Sequence, residues 1–138
     1  MNEILATLMR YFSFLYEEEG FRFVDSRVYD SGSAYVVLAG KGLYILFSAH
    51  HDEWAIDISK NNYGGGAEVY PLEMMRACLT GNTDKPTGPT LDKTIPGLAK
   101  WFRKNVESVC EALSIARQEQ TRAAFTRMSE INKRAMGL

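Results

Sequence analysis

Hydrophobic residues at the start of the chain recur with the spacing of an α-helix. Aliphatic and aromatic side chains fall at intervals of three and four between Ile4 and Tyr16, which predicts an amphipathic helix. A glycine follows three consecutive acids and is typical of the position after a helix end. The helix is therefore expected to end near these acids, Glu17, Glu18 and Glu19.

Between residues 21 and 59 the pattern changes to short β-rich runs separated by turn residues. The runs FRFVDSRVY, AYVVLA, LYILFSA and WAIDIS predict a four-stranded antiparallel meander. A three-residue turn at 40–42 would pair Val37 with Ile45, and a turn centred between residues 51 and 52 would pair Phe47 with Ile56. The two registers place the same side chains on one face: Tyr35, Val37, Leu43, Ile45, Phe47, Trp54, Ile56 and Ile58.

The remainder of the chain is predicted to be mainly helical. A short helix, LEMMRACLT, follows Pro71, and the segment 81–97, which holds three of the four prolines, is interpreted as an ordered loop. Helical spacing resumes at Leu98 and continues to Ala135 as one helix or as two. The 138 residues fit a single α+β domain with C-terminal helices packed on the sheet, in which 114–138 is a possible helical extension.

Charge narrows the possible partners. The formal net charge of -1 argues against a nucleic-acid-binding protein, which would normally be basic. Residues 1–80 hold 11 acids and 6 bases, whereas residues 81–138 hold 6 acids and 10 bases. This asymmetry is typical of helix surfaces of different character, and it could also provide an acidic face for a basic partner.

Cysteine usage and hydropathy indicate a cytoplasmic protein. Cys78 and Cys110 are isolated and form no CxxC motif, so reduced, structural thiols are expected. The N-terminus carries Glu3 and lacks the basic stretch of a signal peptide. The longest apolar run is interrupted by the sequence GKG at 40–42, and no membrane-spanning segment is predicted.

The stretch SAHHDEW, residues 48–54, is the part of the chain that most resembles a catalytic or metal site. Adjacent histidines on a strand point to opposite sides, and there is no third histidine to complete a metal site with His50 and His51. Ser48 and His50 would stand about 7 Å apart on one strand, too far for a direct hydrogen bond. We therefore interpret the stretch as a hairpin turn and predict no catalytic residue, metal ligand or cofactor.

The second face of the predicted sheet has an apolar centre. It carries Val36, Leu38, Tyr44 and Leu46, with Asp57, His50 and Glu53 around them. An antiparallel sheet commonly keeps one face polar. Either a C-terminal helix covers this face or it is an exposed patch that binds a partner.

The run FSFLYEEEGFRFVDSRVYDSGSAYVVLAGKGLYILFSAHHDEWAIDIS resembles small bacterial immunity proteins of polymorphic-toxin and contact-dependent growth inhibition systems. The likeness covers about residues 8–113 and rests on the pattern FL-EE-GF ahead of a meander. This resemblance implies a non-catalytic protein that binds and occludes a cognate toxin. It also implies that a basic nuclease toxin would suit the acidic first 80 residues.

The leading hypothesis is accordingly a protein-binding module of the immunity type. Two alternatives stay open. One is an enzyme or small-ligand-binding protein with a cleft near His50, His51 and the glycine loop at 64–66, and the other is a homodimeric structural or adaptor protein joined through 115–138. The partner-contact residues predicted for the leading hypothesis are Glu17, Glu18, Glu19, Tyr44, Asp52, Glu53 and Asp57.

Overall fold

The computed structural model describes residues 2–50, 53–60, 62–64 and 68–137. Within these ranges it confirms the predicted α+β fold, with helices at both ends of the chain and an antiparallel sheet between them. The sheet has six strands in the described residues where four were predicted. His51, Asp52 and two glycines of the 64–66 loop lie outside the described residues, and so do the predictions made for them.

The sheet contains the four predicted strands and two short ones. The strands are β1 (Arg22–Val28), β2 (Ala34–Gly40), β3 (Leu43–His50), β4 (Glu53–Ser59), β5 (Val69–Pro71) and β6 (Thr90–Leu91). Their order across the sheet is β1-β2-β3-β4-β5, and β6 pairs with the first residues of β4. The helices are α1 (Asn2–Tyr11), α2 (Phe14–Glu17), α3 (Leu72–Leu79), α4 (Ile95–Ala112) and α5 (Gln118–Ala135), and a 3-10 turn occupies Asp92–Thr94.

The turn between β2 and β3 contains two residues instead of the predicted three. Lys41 and Gly42 have φ angles of 51° and 77°, the left-handed conformation that a two-residue hairpin turn of type I′ requires. Gly40 consequently pairs with Leu43. The predicted β2–β3 pairs are therefore all wrong by one residue.

This shift exchanges the faces of the β2 side chains. Leu38, and not Val37, pairs with Ile45. Val36 and Leu38 belong to the hydrophobic core, whereas Tyr35 and Val37 lie on the opposite face of the sheet. The β3–β4 register is confirmed, since the predicted pairs Ala49–Trp54, Phe47–Ile56 and Ile45–Ile58 are all present.

The predicted N-terminal helix is interrupted between α1 and α2. Phe12 and Phe14 flank the break, and both are buried. Residues two apart on a continuous helix point to nearly opposite sides, so the break allows both rings to face the core. Phe12 packs against Phe47 of β3 at a centroid distance of 5.0 Å, and Phe14 packs against Phe102 of α4 at 5.9 Å.

The helices form one layer against a single face of the sheet. Buried residues from α1 to α5 join the inward side chains of β2, β3 and β4 in one hydrophobic cluster. The larger fully buried members include Phe12, Phe47, Phe102, Ile4, Leu8, Leu15, Leu38, Ile45, Ile58, Leu72, Met75 and Ile95. All sheet side chains that point the other way are outside this helical layer.

The C-terminal helical region consists of two helices, and the first begins earlier than predicted. α4 starts at Ile95, inside the segment interpreted as a loop. The Thr121 hydroxyl of α5 donates a hydrogen bond to the Ala112 carbonyl at 2.6 Å. Phe125 packs edge-on against Tyr70 at 4.8 Å, and Met128 is fully buried. The apolar stripe of α5 therefore packs against its own chain.

Candidate protein-binding face

The surface of the sheet opposite the helices is the outer face. Its members follow from strand register and the alternation of side chains along each strand. On β1 to β4 they are Arg22, Asp25 and Arg27 of β1, Tyr35, Val37 and Ala39 of β2, Tyr44, Leu46, Ser48 and His50 of β3, and Glu53, Ala55, Asp57 and Ser59 of β4. The predicted placement of Tyr44, Leu46, Asp57, His50 and Glu53 on one face is confirmed, and that of Val36 and Leu38 is wrong.

The centre of the outer face is an apolar pair from β2 and β3. Val37 lies opposite Leu46, and Val37 has no exposed surface although it is outside the hydrophobic cluster under the helices. Its burial must therefore come from neighbours on the outer face itself. Bulky side chains that close over a sheet form a rigid surface, because few of them can change rotamer freely.

Tyrosine residues flank this centre along the strands. Tyr63, in the segment after β4, packs its ring 5.0 Å from that of Tyr44 and hydrogen-bonds its hydroxyl to Asp25. Tyr35 donates a second hydrogen bond to Asp25 at 3.3 Å, and its ring lies 6.1 Å from that of Tyr29. Burial, and then the Asp25 carboxylate, raise the pKa of Tyr35 and of Tyr63. Both hydroxyls remain protonated and act as donors.

Asp57 is a carboxylate of the outer face that burial has partly dehydrated. It lies between Leu46 of β3 and Pro71 of β5 in the strand pairing. Burial raises the pKa of Asp57, and no described residue gives it a hydrogen bond or an ion pair. Asp57 is thus a partly dehydrated charge whose hydrogen-bonding capacity is free to meet a partner.

Asp25 and Asp57 lie in one row of paired residues that crosses β1 to β4. The row runs from Asp25 through Val37 and Leu46 to Asp57. Three strand spacings separate its ends, which corresponds to about 14 Å. The middle of the outer face therefore combines two carboxylates, an apolar centre and surrounding phenol rings, and no cation lies in this row.

The structure separates the acids at the end of α2 from the outer face. Glu18 forms an ion pair with Arg103 of α4. Glu19 pairs with Lys41 at 3.3 Å, and Lys41 also meets Glu107 of α4 at 3.2 Å. These pairs connect α2 and the β2–β3 turn to the helical layer. A partner role for Glu17, Glu18 and Glu19 stays a prediction, while Glu18 and Glu19 already have partners within the chain.

Residues 48–50, 53 and 54 of the SAHHDEW stretch line a cleft at one end of the outer face. His50 pairs with Glu53 across the hairpin, and its Nδ1 is hydrogen-bonded to the hydroxyl of Ser33. Ser48 instead donates to the Ala55 carbonyl at 3.4 Å. A cleft of about 340 Å³ is lined by Tyr29, Tyr35, Trp54 and these residues. Ser48 is the serine that stands beside His50 in the sequence, whereas Ser33 is the serine that is hydrogen-bonded to His50 in the structure.

The described residues contain neither a metal-binding cluster nor a helix able to cross a membrane. No group of three or more histidine, cysteine, aspartate or glutamate side chains in these ranges could hold a metal ion. In the same part of the chain, every helix is too short or too polar to span a bilayer. Cys78 and Cys110 are free and half-buried. Burial raises the pKa of both thiols, which favours the unreactive protonated form.

The chain matches no protein-family model, and no match was found among curated proteins or among solved structures. The resemblance to immunity proteins is therefore untested by these comparisons. The chemistry that can indicate a function lies on the outer face, in the cleft at His50 and on the helical layer.

Proposed function

We propose that the chain is a non-catalytic protein-binding module that uses the outer face as its contact surface, and that it is an immunity-type inhibitor which binds and occludes a bacterial toxin domain. The observation that carries the proposal is Asp57, a partly buried carboxylate without a partner among the described residues. A cation from a second protein would supply the missing interaction. The partner is accordingly a toxin domain with a basic contact surface.

The chemistry of the outer face supports protein binding more than small-molecule binding. Tyrosines give large contact areas with little loss of conformational entropy, and they are enriched among residues that dominate interface energies. Tyr44 and Tyr63 are already held against each other, so binding would need little further ordering. Charge-assisted hydrogen bonds to a desolvated carboxylate are among the stronger polar contacts, and they would orient the partner.

The row of acids defines what the partner should present. Lysine or arginine side chains about 14 Å apart, a distance of three strand spacings, would meet Asp25 and Asp57. An apolar side chain between them would pack on the half-buried Leu46 and on the tyrosine rings around it. Glu53, at the start of β4, would extend the acidic contact toward the β3–β4 hairpin.

Affinity capture from the source cells with paired charge variants tests this proposal. Wild-type protein is expected to retain one stoichiometric protein, and Asp57→Lys is expected to lose it because a cation would meet a cation. Glu130→Lys is the matched control, since Glu130 is an exposed acid on α5 in the helical layer. Equal retention by all three proteins would remove Asp57 from the contact surface.

A growth assay tests the inhibitory part of the proposal. The captured protein, expressed alone, is expected to arrest growth, and co-expression of the wild-type chain is expected to restore it. Asp57→Lys should fail to restore growth while remaining folded, whereas Glu130→Lys should succeed. If the captured protein has no effect on growth, the chain would still be a protein-binding module, but the immunity role would be excluded.

The hydrogen bond between Ser33 and His50 favours a second candidate function, an enzyme or small-ligand protein that uses the cleft beside them. A histidine in this position can act as a base toward a serine hydroxyl. A fluorophosphonate probe should then label Ser33 in the wild type and leave it unlabelled in His50→Ala. Absence of labelling in the wild type would argue against nucleophilic chemistry at this cleft.

The surface that residues 115–138 could offer to a second copy of the chain is smaller than the sequence predicts. Phe125 and Met128 are buried in the chain's own core, so they cannot anchor a second copy without unfolding α5. Ile115 and Met136 remain exposed and would have to form the contact. A monomeric mass in solution at high protein concentration would exclude this alternative.

A further inference from the structure

A groove of about 580 Å³ lies on the helical layer, away from the outer face. One wall is α3, the second is the start of α4, and the loop before β6 closes the third side. Polar and charged residues line most of it, among them Glu73, Arg76, Lys85, Thr87, Lys93 and Thr94. Neither the proposed protein contact nor the cleft at His50 uses any of these residues.

Two buried polar atoms at this groove have no hydrogen-bond partner. They are Oε1 of Glu73 and Oγ1 of Thr87, and they are the two such side-chain atoms found in the described part of the chain. Arg76 approaches Glu73 only to 3.9 Å, which is too long for a hydrogen bond. Buried polar groups are normally satisfied, and both residues belong to the lining of the same groove.

The loop that carries Thr87 is held in place. The Thr87 backbone N–H donates a hydrogen bond to Oδ1 of Asn132 on α5 at 2.7 Å. Arg127 of α5 also forms an ion pair with Asp84 in the same loop. These contacts hold the loop backbone beside α5, and the Thr87 hydroxyl is buried there.

The charges at the groove favour an anion. Lys85 and Lys93 form no ion pair with any described residue. Together with Arg76 they give three cations against the single carboxylate of Glu73, a formal charge of +2. A phosphate monoester carries a charge of about −1.5 to −2 at neutral pH. The first turn of α4 lies on the same wall, and its dipole adds to the attraction.

We propose that this groove binds a small phosphate monoester that also carries hydroxyl groups. The phosphate meets Lys85 and Lys93, and a hydroxyl of the ligand donates to Oε1 of Glu73 and bonds with the Thr87 hydroxyl. This arrangement satisfies both unpartnered atoms and the excess positive charge at once. Inorganic phosphate alone would satisfy the charge without a separate hydroxyl group for the two oxygens, and a neutral polyol would satisfy only the two oxygens.

A nuclear magnetic resonance titration of the full ¹⁵N-labelled chain tests the assignment with three probes: glycerol 3-phosphate, inorganic phosphate and glycerol. Glycerol 3-phosphate should shift the amides of residues 73, 87 and 93 at millimolar concentration. Glycerol 3-phosphate should bind at least about fivefold more tightly than inorganic phosphate, because it adds hydrogen bonds. Absence of saturable shifts at these amides with glycerol 3-phosphate would overturn the proposal and leave water as the occupant.

Variants test the contribution of the two lysines and that of the Thr87 hydroxyl separately. Lys85→Gln with Lys93→Gln should weaken glycerol 3-phosphate binding about tenfold or more. The matched control is Lys100→Gln with Lys104→Gln, which removes two exposed cations from α4 outside the groove. Thr87→Val should weaken glycerol 3-phosphate but leave inorganic phosphate unchanged. Equal losses in the groove and control doubles would overturn the assignment by showing that the probe senses only net charge.

A phosphate monoester with neighbouring hydroxyl or ester oxygens can be a free metabolite or a lipid headgroup. Co-sedimentation with phosphatidylcholine vesicles that contain phosphatidic acid distinguishes the two. The wild type would sediment with the vesicles if the groove binds a lipid headgroup. In that case sedimentation should be lost in the Lys85/Lys93 double variant and retained in the Lys100/Lys104 control. Binding of glycerol 3-phosphate without sedimentation would support the groove with a soluble ligand.

Discussion

Replacement of Asp57 by asparagine should make the free protein more stable while weakening its binding to a partner. The change keeps the size of the side chain and removes a carboxylate that burial has partly dehydrated. An unsatisfied buried polar group costs about 1–3 kcal/mol. Because Asp57 retains part of its exposure, the expected gain in the free energy of unfolding at neutral pH is near the lower end, about 1 kcal/mol.

The stability gain of Asp57→Asn should depend on pH, and the raised pKa of Asp57 determines the direction of this dependence. Burial raises the pKa of Asp57, so the folded protein holds the proton more tightly than the unfolded chain. Ionisation therefore lowers stability as the pH rises from the unfolded value of about 3.9 through the raised folded value. The advantage of Asp57→Asn is then greatest at neutral pH, shrinks as the pH falls through the raised folded value, and is absent below the unfolded value.

Urea unfolding of wild type, Asp57→Asn and Asp84→Asn at neutral and acid pH measures these effects. Asp84 is a suitable control because it is an exposed acid that already has an ion-pair partner in Arg127. An increase in the midpoint at constant slope would identify a change in stability alone. A loss of stability in Asp57→Asn, or a gain that does not change with pH, would refute the account of Asp57 as an uncompensated charge.

Three further substitutions give distinct expectations. Gly40→Ala should destabilise the fold by about 1–3 kcal/mol in urea unfolding, because the added methyl would lie 2.9 Å from the Phe21 Cα. Thr121→Val should cost about 1 kcal/mol by removing the hydrogen bond to the Ala112 carbonyl; an unchanged midpoint would show that this bond contributes nothing. Tyr44→Ala should weaken a captured partner about thirtyfold in equilibrium binding, and an unchanged affinity would exclude Tyr44 from the interface.

The hydropathy pattern predicts the strands but cannot choose the register of β2. Val36, Val37 and Leu38 are consecutive apolar residues, and all three are buried. Val37 is buried by the outer face, so β2 lacks the alternation that would distinguish a two-residue turn from a three-residue one. The β3–β4 hairpin was predicted correctly because Trp54, Ile56 and Ile58 alternate with more polar residues.

The candidate site was predicted only where residues lie on regular strands. Tyr44, Glu53 and Asp57 take their positions from alternation along β3 and β4. Tyr63 reaches the face from an irregular segment, and Asp25 faces it because a bulge between Phe23 and Asp25 shifts β1. Neither a loop path nor a bulge leaves a periodic signal in the sequence. The groove residues come from three separate segments and were missed for the same reason.

Site-specific photo-crosslinking in the source cells measures whether the outer face contacts another protein. A photoreactive phenylalanine would replace Tyr44 on the outer face in one variant and the exposed Ile115 near the start of α5 in the other. The account predicts that the variant at position 44 captures one heterologous protein and that the variant at position 115 captures none. Crosslinks from position 115 to a second copy of the chain, with none from position 44, would contradict the outer face as the contact surface.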